Sequence, residues 1–184
     1  NDVPHDHSTQ LGKFYNASNE HVDLAIESNL KAWKTWSQVS LEERCAIFNK
    51  AADLLSTTWR DTINAATMLN MSKNVYQAEI DAACEMIDFF RFNSWYAYEL
   101  SLQQPMYSST HIKNSLEMRP LEGFVFAVSP FNFASIGGNL PSSPALMGNV
   151  SLWKPASSAV LPAYYIMRLL QESGLPDGVI NFIP

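Results

Sequence analysis

Only two of the 184 residues are cysteine, Cys45 and Cys84. Two thiols do not make a disulfide framework, so the chain has to hold its shape by burying a core. Both sit among apolar neighbours in strongly helical patterns, which predicts buried, reduced thiols. Clusters of Lys and Arg are also missing. Twelve basic residues are outnumbered by 18 acidic ones, for a net charge of -6. That balance argues against nucleic acid or an anionic membrane surface as a partner. No apolar run approaches the length that crosses a bilayer. There is no initiator Met and no basic, apolar leader; the start reads as mature or trimmed, and no cellular address is legible in it. Internal repeats and low-complexity tracts are absent, and so is the G-x-G-x-x-G loop of ordinary dinucleotide-binding units.

What is present suits a globular fold. The length is that of one domain or most of one, long enough to bury a core. A hydrophobic share of 47% with 16% charged residues is ordinary for such a domain. Residues 1–18 are polar and read as an irregular, solvated arm. His5-Asp6-His7 has metal-binding side chains but no evident third ligand. Three Asn-x-Ser triplets begin at Asn16, Asn70 and Asn149. That pattern is frequent by chance, and nothing else in the chain suggests secretion.

Residues 19–104 have helical periodicity. Val22, Ile26, Leu30, Trp33 and Trp36 recur at helical spacing behind Ser18 and Asn19. Ser40-Leu41-Glu42-Glu43 is a capping-box pattern, and the helix it opens should bury Ile47, Ala51 and Leu54 or Leu55. A third helix is expected over residues 59–69, and a long fourth over 73–99. The fourth carries Asp81, Glu85 and Asp88 at i, i+4 and i+7, along one face. That face is either merely solvated or functional; spacing alone does not choose.

After Gln103-Gln104-Pro105 the character changes. Residues 106–118 are polar and β-like, consistent with a projecting hairpin. From residue 121 strands alternate with helices: a buried strand at 124–128, a turn and helix loosened by Gly137, Gly138, Pro141 and Pro144, and a strand at 150–153. A helix capped by Ser157 or Ser158 and stopped at Gly174 follows, then a strand at 179–183. Alternation of this kind implies a parallel sheet, hence an α/β fold. In such sheets ligands bind beyond the carboxyl ends of the strands. Residues 129–133 and 154–157 occupy those ends.

Asn132 follows the first strand, with Pro130 stiffening the approach. A fixed amide N–H there is a partner for charge developing on a carbonyl oxygen; equally, such an Asn can simply cap its own helix. Lys154 follows Leu152 and Trp153 and precedes Pro155. A cation there can bond a ribose hydroxyl or a phosphate, or simply face solvent.

The chain resembles the N-terminal part of an aldehyde dehydrogenase. More narrowly, it is similar to the delta-1-pyrroline-5-carboxylate dehydrogenases, which act on glutamate γ-semialdehyde. The resemblance is carried by Gln77-Ala78-Glu79-Ile80-Asp81-Ala82-Ala83 and by Ile87-Asp88-Phe89-Phe90-Arg91-Phe92-Asn93. It continues through Leu121-Glu122-Gly123-Phe124, Ser129-Pro130-Phe131-Asn132-Phe133 and Ile136-Gly137-Gly138-Asn139-Leu140. Pro144-Ala145-Leu146-Met147-Gly148-Asn149-Val150 and Leu152-Trp153-Lys154-Pro155 complete it. It runs from about residue 13 to residue 184.

The resemblance implies a helical N-terminal layer on part of a Rossmann-like parallel-sheet cofactor domain. In those terms, 1–18 is an arm, 19–104 the helical part of the cofactor-binding domain, 105–120 an oligomerisation β segment and 121–184 the first βαβ units. It implies that Asn132 donates to the oxyanion of a thiohemiacetal, and that Phe133 walls the aliphatic substrate chain. It places Glu85 at the substrate entrance near the amino end, Ser129 beside the cofactor, and Lys154 on the adenosine ribose. The family oxidises a small-molecule aldehyde through an enzyme thioester with NAD as acceptor. Many NAD-using relatives carry a glutamate three residues after the lysine. Ser157 stands there instead, so NADP is not excluded.

The family's catalytic cysteine and general-base glutamate are expected beyond residue 184, and the 184 residues alone are expected to be inactive. Relatives are homodimers or larger, mitochondrial in eukaryotes and cytoplasmic in bacteria. An isolated piece is expected to expose sheet edges. Two other readings stay open: a non-catalytic scaffold or binding protein that kept the fold, and an aldehyde dehydrogenase for another substrate such as succinate semialdehyde.

Overall fold

The computed structural model describes all 184 residues. The first feature differs from the sequence expectation. Residues 1–18 are not an irregular arm, because β1 (Asp2–Val3) and β2 (Asp6–Gln10) pair as an antiparallel hairpin. Val3 supplies the reason, since it is 4% exposed and anchors the hairpin to the body. Asp6 spends its carboxylate on Ser8 and Thr9, and His5 bonds the Ser72 hydroxyl. No three His, Cys, Asp or Glu side chains are grouped to hold a metal ion.

The helical part follows as α1 (Asn19–Trp36), α2 (Leu41–Ser56) and α3 (Arg60–Met71). Both predicted starts hold. Ser18 and His21 close one capping box, and Ser40 and Glu43 close another, each satisfying first-turn amides that have no helical partner. Such a cap stabilises by about 0.5–2 kcal/mol. In α2 the buried positions are Arg44, Phe48, Ala51, Ala52 and Leu55; Ile47 lies only partly buried at the flank. In α1 the fully buried residues are Trp36 and the polar Asn29, while Leu30 is exposed.

The expected fourth helix is three segments. Asn74 caps α4 (Val75–Ala78), a π-helix spans Glu79–Cys84, and α5 (Glu85–Ser101) continues. The wider i→i+5 turn changes the register of everything after it. Cys45 and Cys84 are free but only partly buried, a correction to the expected burial. Cys45 donates to the Ser94 carbonyl and Cys84 to Glu79. No helix is long and apolar enough to cross a membrane.

Residues 106–118 do not form the expected hairpin. One isolated bridge, Ser109 to Ile112, is all the pairing there is. Side chains shape the segment instead: Gln104 binds both the backbone N–H and the carbonyl of Leu116, and Asn114 donates to the Tyr107 carbonyl. Alternation without a covering layer leaves Met106, Tyr107 and Ile112 exposed, and a two-stranded ribbon without a buried face is marginal in water.

The α/β unit is as expected in type. Three parallel strands, β3 (Val125–Val128), β4 (Ser151–Lys154) and β5 (Ile180–Phe182), pair in the order β3-β4-β5. They are connected by α6 (Ala134–Leu146) and α7 (Val160–Ser173). Leu152 and Trp153 are buried in the middle strand. The reading of a buried first strand is corrected, because β3 lies at the sheet edge with Phe126 56% and Val128 57% exposed. Neither Ser157 nor Ser158 caps α7. A 3-10 turn (Ser157–Ala159) intervenes, and Ala159 occupies the cap without a side-chain bond. Gly174 ends α7 at φ 104°, a left-handed cap that favours glycine.

One core joins the layers. It includes Phe48, Leu55, Ile63, Met86, Phe90, Trp153, Ile166 and Leu169. The indole of Trp36 donates to the Ala145 carbonyl at 2.9 Å and ties α1 to α6. Two of the three Asn-x-Ser triplets are closed to modification. Asn70 and Asn149 are 2% and 8% exposed, and each uses its amide on backbone groups.

At Gly138, α6 passes so close to its neighbours that an added Cβ would meet Met86 Sδ at 2.6 Å and Ile166 Cγ2 at 3.1 Å. At Gly137 the nearest atom would be Ser129 Oγ at 3.7 Å, ordinary contact. Gly138→Ala should therefore destabilise by about 1–3 kcal/mol through overpacking. Gly137→Ala should be neutral or gain up to about 1 kcal/mol of helix propensity. Thermal melts of the two variants side by side check this; equal melting temperatures would contradict the close crossing.

Candidate active site

The two strand ends are fastened to each other. At the end of β3, the Ser129 backbone N–H donates to the Lys154 carbonyl at 3.1 Å. The Ser129 hydroxyl accepts from Trp153 Nε1 at 2.9 Å, and Ser129 is 6% exposed. Trp153 is itself fully buried and meets Phe182 edge-on, with ring centroids 5.2 Å apart. A backbone bond and an indole bond thus fix where the turn after β3 begins.

Past that point the chain turns outward. Phe131 is 66% exposed and Asn132 is exposed. Helix α6 begins only at Ala134, with Phe133 at its cap position and no side-chain capping bond. Of the two readings of Asn132, helix capping is therefore not realised. Phe133 is half-buried, and the ammonium of Lys73 sits 4.0 Å from its ring centroid. Lys73 also pairs with Asp81 of the π-helix. At the second residue of α6, the fully buried Ser135 donates its hydroxyl to Glu85.

The π-turn breaks up the expected acidic face. Asp81 turns to Lys73, Glu85 turns to Ser135, and Asp88 stays exposed. Only Glu85 of the three reaches the segment that carries Asn132. Within the π-helix Glu79 is held by Arg60 Nε at 2.9 Å and by Asn64 at 2.6 Å. The Arg60 guanidinium keeps the Glu79 carboxyl below its ordinary range. Both thiols are shifted upward, chiefly by burial, and in Cys84 Glu79 adds to the shift.

Lys154 Nζ donates to the Pro155 carbonyl at 2.8 Å and reaches the Ser157 hydroxyl at 3.4 Å. The Ser157 hydroxyl faces that cation from the first residue of the 3-10 turn, two residues before the cap position of α7. Ser157 and Ser158 border a cleft of about 480 Å3, which Asn1, Pro4 and His7 also line. The space among Ser129, Pro130, Phe133 and Gly137 is only about 10 Å3, the volume of one water at most. A separate cavity of about 570 Å3 is lined by Arg44, Gln104, Leu116 and Asn149 and touches none of these residues.

The structure thus gathers Ser129, Lys154 and Ser157 at adjacent strand ends, with Asn132 and Phe133 on the turn that follows β3 and Glu85 reaching that segment from the start of α5. Three participants had no sequence signal: Lys73 and Ser135, whose partners are remote, and Trp153, which reads as core.

The aldehyde dehydrogenase family model matches residues 2–184. The chain belongs to the aldehyde dehydrogenase family. A delta-1-pyrroline-5-carboxylate dehydrogenase of Agaricus bisporus is 52% identical over 182 residues, which are 99% of this chain and 33% of that protein. The human mitochondrial delta-1-pyrroline-5-carboxylate dehydrogenase is 51% identical over 181 residues, 98% of this chain and 32% of that one. The crystal structure of the Mycobacterium tuberculosis delta-pyrroline-5-carboxylate dehydrogenase bound with NAD superposes with a TM-score of 0.97 at 50% identity. It covers 99% of this chain and 34% of its own. The chain thus spans about a third of the length of the relatives it matches, and the aldehyde dehydrogenase fold expected from its sequence is the one observed.

Two measurements probe this region of the aldehyde dehydrogenase fold. Trp153→Phe leaves the buried Ser129 hydroxyl without its donor, at a cost of about 1–3 kcal/mol, which denaturant melts would read; adding Ser129→Ala should recover part of it. Glu79 is depressed in the folded state, so its contribution is complete above the ordinary carboxylate range and is lost as pH falls through the lowered value. Arg60→Met should therefore move the acid-unfolding midpoint to higher pH, and an unchanged midpoint would show that the pair contributes nothing.

Proposed function

We propose that these residues belong to an NAD-dependent dehydrogenase that oxidises L-glutamate γ-semialdehyde, the open form of pyrroline-5-carboxylate, to L-glutamate. The observation that carries the reading is Asn132, an exposed amide that does not cap the helix behind it, at the carboxyl end of a parallel strand. Relatives near 50% identity named for this reaction support the substrate.

In this reading Asn132 Nδ2–H is aimed at the carbonyl oxygen of the bound aldehyde. That oxygen gains negative charge when a nucleophile adds, and a donor already in place stabilises the addition more than the ground state. Phe133 lies beside the aliphatic chain of the substrate. Glu85, kept in place by Ser135, receives the substrate's amino group. Neither cysteine of this chain suits the nucleophile's part, since partial burial pushes both thiols upward, away from the thiolate a nucleophile needs. The thiolate and the base that activates water come from outside these 184 residues.

The donors at the strand ends fit a ribose. Lys154 offers a cation, Ser157 a neutral hydroxyl beside it and a neighbouring cleft, and no side-chain carboxylate bonds the ammonium. Lys154 and Ser157 would hold the adenosine ribose of NAD, and Ser129 would border it. Bound NAD supplies the two-electron acceptor for the aldehyde's oxidation. With a serine at position 157, a 2′-phosphate meets no repelling carboxylate, which leaves NADP open as an acceptor beside NAD. Residues 19–104 and 121–184 then form one cofactor-binding unit, and residues 105–120 a segment for assembly into a homodimer or larger homo-oligomer. Relatives from Dictyostelium discoideum and human are named mitochondrial, which supports the mitochondrial matrix as the place of action.

The test is NAD reduction by the whole protein supplied with pyrroline-5-carboxylate, against succinate semialdehyde as the competing substrate. Asn132→Ala should lower kcat by about 10²–10³. The 184 residues alone should give no turnover. A preference for succinate semialdehyde would sink the substrate assignment, and a fully active Asn132→Ala enzyme would sink the role of the amide.

A further inference from the structure

We infer that Lys73 is a positioning residue for this site, one that acts through the ring of Phe133 and with it fixes the turn bearing Asn132. The inference rests on the function proposed above. Lys73 lies outside every motif that marks the family in this sequence, at the centre of the three-residue link Ser72-Lys73-Asn74 between α3 and α4. Ser72 is the chain's single non-glycine residue with positive φ, at 51°. That left-handed residue ends α3, and Asn74 then caps α4, so the link is bounded by a defined turn on each side.

The Lys73 side chain is 12% exposed, unusual for lysine, and two partners account for it. Asp81 takes the ammonium from the π-helix side, and the face of Phe133 takes it from the other. A cation over an aromatic face within about 6 Å is attracted by the ring quadrupole, more strongly when desolvated. Asp81 is itself only 20% exposed, so the ion pair is largely withdrawn from water.

The geometry has a directional consequence. Phe133 is at the cap position of α6, immediately after Asn132, and nothing else in side-chain chemistry fixes that cap. With the ammonium on one face, the ring keeps only its other face for a substrate chain. Rotating the ring would abandon the cation, and abandoning the cation would leave a half-buried ion pair short of a partner. The π-turn matters here because it carries Asp81 toward Lys73 while the same helix sends Glu85 to Ser135. Two side-chain links to one helical rod thus hold the chain just after Asn132, one through residue 133 and one through residue 135.

The experiment is a double-mutant cycle in the whole enzyme, read by steady-state kinetics with pyrroline-5-carboxylate and NAD. Lys73→Met, which keeps bulk and loses charge, should lower kcat about tenfold, the scale of one desolvated cation–π contact. The KM for NAD should stay unchanged and the thermal melt of the variant should match that of the unsubstituted enzyme, which separates a lost contact from a loss of folded enzyme. Lys73→Arg keeps the charge and should retain most of the activity. In a Phe133→Leu background Lys73→Met should cost less than about twofold, because non-additivity marks residues that act as a unit. Equal losses in the two backgrounds, or an active Lys73→Met enzyme, would overturn the inference while leaving the proposed function intact. An unsubstituted enzyme with no turnover of this substrate would overturn the proposed function, and the inference with it.

Discussion

The bond from Trp153 Nε1 to the Ser129 hydroxyl is the contact on which the rest of the site depends. It joins the residue just past β3 to the penultimate residue of β4, and each strand then delivers a different part of the site. β3 hands over to the turn with Asn132 and Phe133, and β4 to Lys154. Burying an indole N–H and a serine hydroxyl is costly unless each satisfies the other, so the pair tolerates one relative position of the strand ends. The backbone bond from Ser129 to Lys154 sets the same register. Chemistry that needs an amide and a cation at a fixed separation is thereby tied to core packing.

A second polar contact does similar work beneath the sheet. Asn29 is fully buried in α1 and donates to the carbonyls of Ser151 at 3.1 Å and Gly178 at 2.8 Å. Those carbonyls lie at the start of β4 and just before β5. The helical layer therefore grips the sheet by its amino ends while the site occupies its carboxyl ends. Trp36 and Arg44 extend the grip, donating to the carbonyls of Ala145 and Leu146 at the end of α6. Burial holds the Arg44 guanidinium below its ordinary value, so its charge is retained at a cost that its carbonyl partners offset.

Legibility in the sequence followed the range of the interaction involved. The Ser18 and Ser40 caps, the stop at Gly174 and the three strands are local events, governed by residues within a few positions of one another, and they could be read directly. The placement of residues 129–133 and 154–157 at strand ends followed from alternation alone. What could not be read depends on partners far along the chain. The π-turn at Glu79–Cys84 has no local composition signal, and it redirected Asp81 and Glu85 away from their common face. Ser157 looked like a helix cap because no pattern showed that a 3-10 turn would come between it and α7. Phe126 and Val128 looked buried because their alphabet is that of a core strand, whereas burial depends on what lies next to β3 in space.

Asn132 stands open to solvent at the tip of a rigid turn. An amide that faces bulk water exchanges one hydrogen-bond partner for another at little net gain, and its dipole is screened by the medium around it. The same amide under a dry cover is worth several times more to a developing charge. The strength of this donor is therefore set by the roof placed over it, while the turn fixes only its aim. Selection can retune such a site by altering the cover, its fit or its frequency of opening, and leave the Ser-Pro-Phe-Asn-Phe turn itself untouched.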